Sequence, residues 1–233
     1  MCRLTLSTEQ IRIYDDFLDP DAFKALLPHT TEDTFGIVHR EEWRKVWRLG
    51  DGLPLEGTTT YYRPDASGYD TDEDPRYPTG TPIDTVIEAI HQTAVADAAD
   101  IVGGAGSEWN CMSLTPWVYP QGSGLSLHRN RDAYSGSFTY FIHHDWNFHW
   151  GGQLLILDPR TGNGYDPDDS PYNPPFLSDQ DENRAAAEPG IGLSILPKPN
   201  RLVFIAPETY QMITRVDANA GNRPRVALAG FFM

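Results

Sequence analysis

The chain has 233 residues, 39% of them hydrophobic, with 33 acidic against 18 basic residues and a formal net charge of −15. This length buries a sizeable core, and the acidic balance argues against nucleic acid or an anionic membrane as partner, since both require basic surface. Cys2 and Cys111 sit in no zinc-like or disulfide spacing and suit a reducing cytoplasm; no long apolar run predicts a signal peptide or a membrane span.

Residues 10–17 (QIRIYDDF) alternate and read as a short strand. Asp19 is the expected N-cap of a following helix, with Pro20 in its first position and Phe23, Leu26 and Leu27 on one face; Pro28 is expected to end it. Trp43 and Trp47, four apart, would share a helix face, most simply as core. Residues 64–82 are rich in Pro, Gly and Asp and read as a loop. The strongest helical pattern spans 82–102, with Ile83, Val86, Ile87, Ile90, Val95 and Ala98 near a 3.6-residue period and Gly103-Gly104 as its stop.

Beyond residue 108 the texture changes. Eight segments alternate and are separated by turns: 108–119, 125–128, 138–142, 153–157, 193–196, 201–205, 210–216 and 225–232. This pattern predicts a sandwich or barrel. The division expected is a single domain over 1–233, with an N-terminal strand-and-helix buttress at 1–107 and a β core at 108–233. Residues 158–192 interrupt the core with eight acidic residues, two arginines and many Pro and Gly. A loop of this length reads either as a lid over a site or as an acidic linker.

Four of the seven histidines, His128, His143, His144 and His149, fall in the stretch 124–157. Histidine at this density beside aromatic strands suits a metal or acid–base site, or else a hydrated hairpin.

Five motifs in order, SLSLHRN, FTYFIHHDW, WGGQLLI, LPKPNRLVFI and RPRVALAGFF, resemble the iron(II)/2-oxoglutarate-dependent oxygenases, in particular the prolyl-4-hydroxylase-like branch. The resemblance covers about residues 108–233. It implies a mainly β fold with flanking helices (α+β), built on a double-stranded β-helix, a jelly-roll or cupin-like core. It also implies a facial triad of two histidines and a carboxylate on iron. The first histidine maps to His128. The carboxylate position is Asn130 and the distal histidine position is Gln211. One imidazole and two neutral amides lack the charge of the usual set, so Fe(II) is expected to bind weakly or not at all. Asp132 could rebuild the metal site, as could His143, His144 or His149 if their strand ends face the cavity; His143 and His144 otherwise read as turn residues.

The same resemblance assigns Arg225 to the clamp on the distal carboxylate of 2-oxoglutarate, with Arg223 as competitor and Tyr140 as a helping hydroxyl. Ala227 stands where the family places a second hydroxyl. A kept anion clamp beside an altered triad implies a pocket that still binds an acid; the kept His128, Tyr140 and Arg225 imply an enzyme, and the pocket-side aromatics favour a small organic molecule as its substrate. Its chemistry would be iron-dependent oxidation, or redox-neutral cyclisation, isomerisation or elimination with His128 as acid and base and Asp132 and Tyr140 as helpers. The alternative class is a non-catalytic ligand-binding protein or a partner of an active relative. The oligomeric state stays open, with a homodimer as one option.

Overall fold

Among the described residues, two antiparallel sheets pack face to face, and helices cover the outer side of the larger one. This computed structural model describes residues 2–32, 35–38, 51–64, 77–130, 133–157 and 190–233. Trp43, Trp47, Asp132 and nearly all of the 158–192 insertion lie outside them, as do the expectations placed on those residues.

The larger sheet runs in the order β1 (Arg3–Ser7), β2 (Ile11–Asp15), β11 (Arg201–Ile205), β8 (Gly136–Phe141), β13 (Arg225–Phe232), β6 (Met112–Tyr119), β4 (Leu55–Glu56) and β3 (Gly36–Ile37), and β5 (Thr60–Tyr62) also pairs with β6. The smaller sheet runs β10 (Gly192–Ile195), β9 (Leu154–Leu157), β12 (Gln211–Ile213) and β7 (Leu125–His128). All eight alternating segments are therefore strands. From β6 to β13 they distribute between the sheets in the jelly-roll manner. The β7–β12 ladder carries a bulge: Ile213 lies opposite Leu125 and Gln211 opposite His128.

Alternation explains how the larger sheet is buried on both sides. Tyr14, Phe138, Tyr140, Leu202, Phe204, Leu228 and Phe232 face the helices and form one core cluster with them. Ile11, Ile13, Phe141, Val203, Ile205 and Ala227 face inward and pack with Leu154, Ile156, Ile195 and Ile213 of the smaller sheet. Full burial of one such side chain contributes on the order of 2 kcal/mol.

Helix α1 (Pro20–Glu32) starts as expected: the Asp19 carboxylate accepts from the backbone N–H groups of Asp21 and Ala22, at 3.1 and 3.0 Å. Pro28 does not end it. The proline is exposed, so water can reach the Lys24 carbonyl that it cannot bond, and the helix continues to Glu32. Helix α2 (Ile83–Asp97) buries Ile83, Val86, Ile87, Ile90 and Ala94, and α3 (Ala99–Val102) follows after a break at Ala98. Val95 was expected on that stripe and is instead 48% exposed; stepping four residues from Ile90 reaches Ala94 and then Ala98. Gly103, at φ 80, closes the segment.

β2 joins the sheet and the helices. Its Arg12 pairs with both oxygens of Asp100 at 2.9 Å, and Tyr14 donates to Asp97. At its end Asp15 is buried yet receives Arg201 at 2.6 Å and Lys198 at 3.1 Å. Burial would raise its pKa, but those two cations hold it well below the usual carboxylate range.

Candidate functional site

The inner face of β13 begins with Arg225, which is 1% exposed. Its guanidinium lies 5.0 Å from the ring centre of Tyr119 and 4.9 Å from that of Phe141. Register explains the arrangement, since Arg225 pairs with Tyr119 on β6, and Ala227 pairs with Phe141 on β8. The Arg225 Nε donates to the Gly152 carbonyl at 2.9 Å. Gly152 has φ +69, and a Cβ there would meet the Arg225 Cδ at 3.1 Å and the Trp146 ring at 3.2 Å. Gly151, at φ +71, approaches the Arg215 carbonyl so closely that a Cβ would lie 2.0 Å from it. The Gly-Gly pair thus lets a backbone carbonyl reach the arginine stem.

One nitrogen of this guanidinium has no hydrogen-bond partner among the described residues. Nη2 is buried and, among the described residues, no group hydrogen-bonds it and no carboxylate pairs with Arg225. Burial lowers its pKa to about 10, with Tyr119 opposing, so the group stays cationic at neutral pH. The same burial raises the Tyr119 phenol. A buried cation of this kind is costly unless an anion meets it.

The second half of the site gathers where β7 and β12 meet. His128 and Gln211 are opposite each other, so they share a face. Gln211 Nε2 donates to Asn130 Oδ1 at 3.3 Å, and Asn130 Nδ2 donates to Ser137 Oγ at 2.7 Å. Asn130 and Gln211 are each 7% exposed. His128 Nδ1 lies 2.8 Å from the Ser126 carbonyl. A carbonyl only accepts, so in the neutral ring Nδ1 carries the proton and Nε2 the lone pair. Next along, Ser126 donates to the buried carboxylate of Asp51.

The structure therefore brings His128, Asn130 and Gln211 together and places Arg225 inside the barrel. It does not bring Tyr140 to them. On β8, Tyr140 shares the helix-facing side with Phe138, packs on Phe17 and Phe23, and donates to Asn200 Oδ1 at 2.7 Å. The residue that faces inward is its neighbour Phe141, which has no hydroxyl. Arg223 is exposed and rests on the Trp150 ring at 4.9 Å, so it does not compete with Arg225.

His144 and His149 are exposed at the turn that includes Phe148–Trp150. His143 is buried, with Nε2 2.5 Å from the Pro197 carbonyl and Nδ1 3.2 Å from the Val226 carbonyl. Burial, against the Pro197 contact and with help from the Arg225 charge, lowers its pKa to about 4. In the neutral ring only one of these nitrogens carries a proton, so His143 donates to one of the two carbonyls at a time. Asp132 lies outside the described residues. Among those residues, no three of His, Cys, Asp and Glu gather in a way that holds a metal.

Tyr119, Phe141, Ser137 and the Gly152 carbonyl take part in the site and were not foreseen. Their signal was strand register, which period-two alternation does not supply.

No family model matches the chain, and no curated protein matches it in sequence. Solved structures match it along almost its whole length. A Pseudomonas putida prolyl-4-hydroxylase aligns with a TM-score of 0.56 at 16% identity, covering 97% of this chain and 93% of that one. A Trichoplax adhaerens prolyl hydroxylase, in complex with a hypoxia inducible factor oxygen degradation domain peptide fragment, aligns with a TM-score of 0.57 at 14% identity, covering 97% and 84%. The non-heme alpha ketoglutarate dependent epimerase SnoN from nogalamycin biosynthesis aligns with a TM-score of 0.51 at 11% identity, covering 96% and 77%. At these identities the likeness shows the fold, which is the double-stranded β-helix of the 2-oxoglutarate/iron(II) oxygenases.

Proposed function

We propose that this chain, built on the fold of the 2-oxoglutarate/iron(II) oxygenases, is an enzyme for a small organic acid. It holds the carboxylate on Arg225 inside the barrel and moves protons on the bound molecule with His128. The net reaction is redox-neutral: an isomerisation, cyclisation or elimination. The observation that carries this reading is the buried Arg225, with Nη2 left unpartnered beside two aromatic rings. An arginine fork in a dry site is a strong receptor for a carboxylate, and 2-oxoglutarate is one acid that it would take. That SnoN is described as an epimerase supports a net isomerisation on this fold.

Iron(II) fits the described donors poorly. A divalent ion leaving water needs ligand charge, and Asn130 and Gln211 offer neutral amides already bonded to one another. The role given to His128 accordingly uses only its own imidazole.

Calorimetric titration of 2-oxoglutarate and other small carboxylic acids into chelator-treated protein tests this reading. Binding is expected, and Arg225→Met weakens it on the order of a hundredfold, the worth of a lost charge-assisted pair of hydrogen bonds. Unchanged binding in Arg225→Met, or no acid bound at all, would overturn it. Stoichiometric iron held by the purified protein and stripped, with activity, by Asp132→Ala would show a rebuilt oxygenase centre instead. Binding without turnover of any acid would leave a non-catalytic ligand-binding protein.

A further inference from the structure

The amides of Asn130 and Gln211 have hydrogen-bonding capacity that their mutual network does not use. Each side-chain amide carries two N–H groups. Asn130 directs one to Ser137 Oγ at 2.7 Å, and Gln211 directs one to Asn130 Oδ1 at 3.3 Å. Among the described residues no group takes the second N–H of either, and both residues are nearly buried and held from three strands or strand ends: β7, β8 and β12. Gln211 shares its face with His128, whose Nε2 carries the lone pair. Donors fixed in a dry site beside a base are the arrangement that stabilises an oxygen on which negative charge develops.

From this juxtaposition we infer that Asn130 and Gln211 hold the ketone oxygen of a 2-oxo acid while His128 removes a proton from the carbon next to that ketone. The inference rests on the carboxylate-binding reading above and names the substrate class and reaction type within it. An imidazole is too weak a base to take a proton from carbon unless the electron pair has a stabilised destination. Here the C–H bond breaks and its proton goes to Nε2. The C–H electron pair forms a C=C bond, and the carbonyl π pair moves to oxygen, where the amide N–H groups meet it. Arg225 keeps the carboxylate in place. Return of the proton from the imidazolium to carbon completes the cycle. Return to the same face gives exchange, to the opposite face epimerisation, and to another carbon of the conjugated system isomerisation. Nothing is oxidised or reduced.

The test is hydrogen–deuterium exchange at C3 of pyruvate, 2-oxobutyrate and 2-oxoglutarate in D2O, followed by proton NMR with a chelator present and paired with a binding titration. Exchange above the buffer rate is expected for at least one acid. It should vanish in His128→Ala and fall on the order of a hundredfold in Gln211→Met, as when one oxyanion donor is removed. Affinity for the acid should stay within a few-fold in that variant. Gln211→Glu keeps the side-chain shape and guards against misfolding; a carboxylate has no N–H to give, so its exchange should be equally low. Arg223→Ala, exposed and away from the interior, serves as the unchanged control. If the acids bind but exchange only at the buffer rate, the enolate inference is overturned while the acid-binding reading stands. Wild-type exchange in both Gln211 variants, or exchange that requires added iron(II), overturns it equally. If no 2-oxo acid binds, the inference falls, and if no carboxylic acid of any kind binds, the acid-binding reading falls with it.

Discussion

The two faces of the larger sheet are built by the same strands and obey different rules. Toward the helices, β8 presents Phe138 and Tyr140, and the tyrosine hydroxyl is satisfied by Asn200. Asn200 in turn bonds both the N–H and the carbonyl of Leu18, at 2.9 and 2.8 Å. Toward the barrel interior, the same strand presents Ser137 and Phe141, beside an arginine with an unmet donor and amides with spare N–H groups. The outer face satisfies Tyr140 and Asn200 internally, with His91 Nε2 of α2 buried there and without a hydrogen bond among the described residues, whereas the inner face leaves a charged donor open. A packed core and a face with an open charged donor can therefore share one strand, separated by a shift of a single residue.

Four measurements break or sharpen that contrast. The largest effect belongs to the outer face. Phe138→Ala should cost about 3–5 kcal/mol in urea unfolding through the cavity it leaves, while the folded fraction binds its acid as before.

Acid titration resolves two buried ionisable groups by pH. His143 has its folded pKa depressed to about 4 from an ordinary 6.5, chiefly by burial. A depressed histidine favours the neutral fold, so its contribution is complete above pH 6.5 and is lost as pH falls toward 4. The loss is on the order of 3 kcal/mol. Asp15 is depressed as well, so its contribution holds above pH 3.8 and disappears only below that. Wild-type stability should thus decline in two stages, and His143→Gln should flatten the upper one. An unaltered slope in that variant would assign the upper stage to another group.

Arg225→Met inverts the usual relation between loss of function and loss of stability. Replacing an unpaired buried cation by an apolar side chain of similar length should raise unfolding free energy by about 1 kcal/mol or more. Carboxylate binding should weaken on the order of a hundredfold in the same variant. A strongly destabilised Arg225→Met would mean that the Gly152 carbonyl and the two rings compensate the buried charge within the protein.

The smallest expected effect is the most direct check on facing. Tyr140→Phe removes the bond to Asn200 and should cost about 1 kcal/mol, with acid affinity unchanged. A drop in affinity would place that hydroxyl in the site after all.

Much of the architecture was legible because hydrophobic period is a local property. Ile83, Val86, Ile87 and Ile90 announce their helix, and the eight alternating segments announce their strands. Asp19 declares the start of α1 by itself. What stayed hidden needed non-local information. In FTYFI both phases carry aromatics, so alternation alone does not tell whether Tyr140 or Phe141 faces inward. The helices packed against Tyr140 decide it. Tyr119 reads as one more aromatic in a strand until its pairing with Arg225 is known. The opposite error came from Pro28, whose effect depends on solvent at its own side of the helix. His128, Asn130 and Gln211 were found through family resemblance, but their mutual bonding, and the capacity it leaves over, required three strands in register.

The bulge between β7 and β12 makes the site a matter of counting. In an unbroken antiparallel ladder starting from Leu125 opposite Ile213, the residue across from Gln211 would be Leu127. One extra residue in β7 replaces it with His128. Deletion of the Leu127 codon would leave every polar side chain of the site encoded, yet change how His128 and Gln211 are brought opposite each other. A frame of spacing, inherited separately from the residues themselves, thus sets whether His128 stands opposite Gln211.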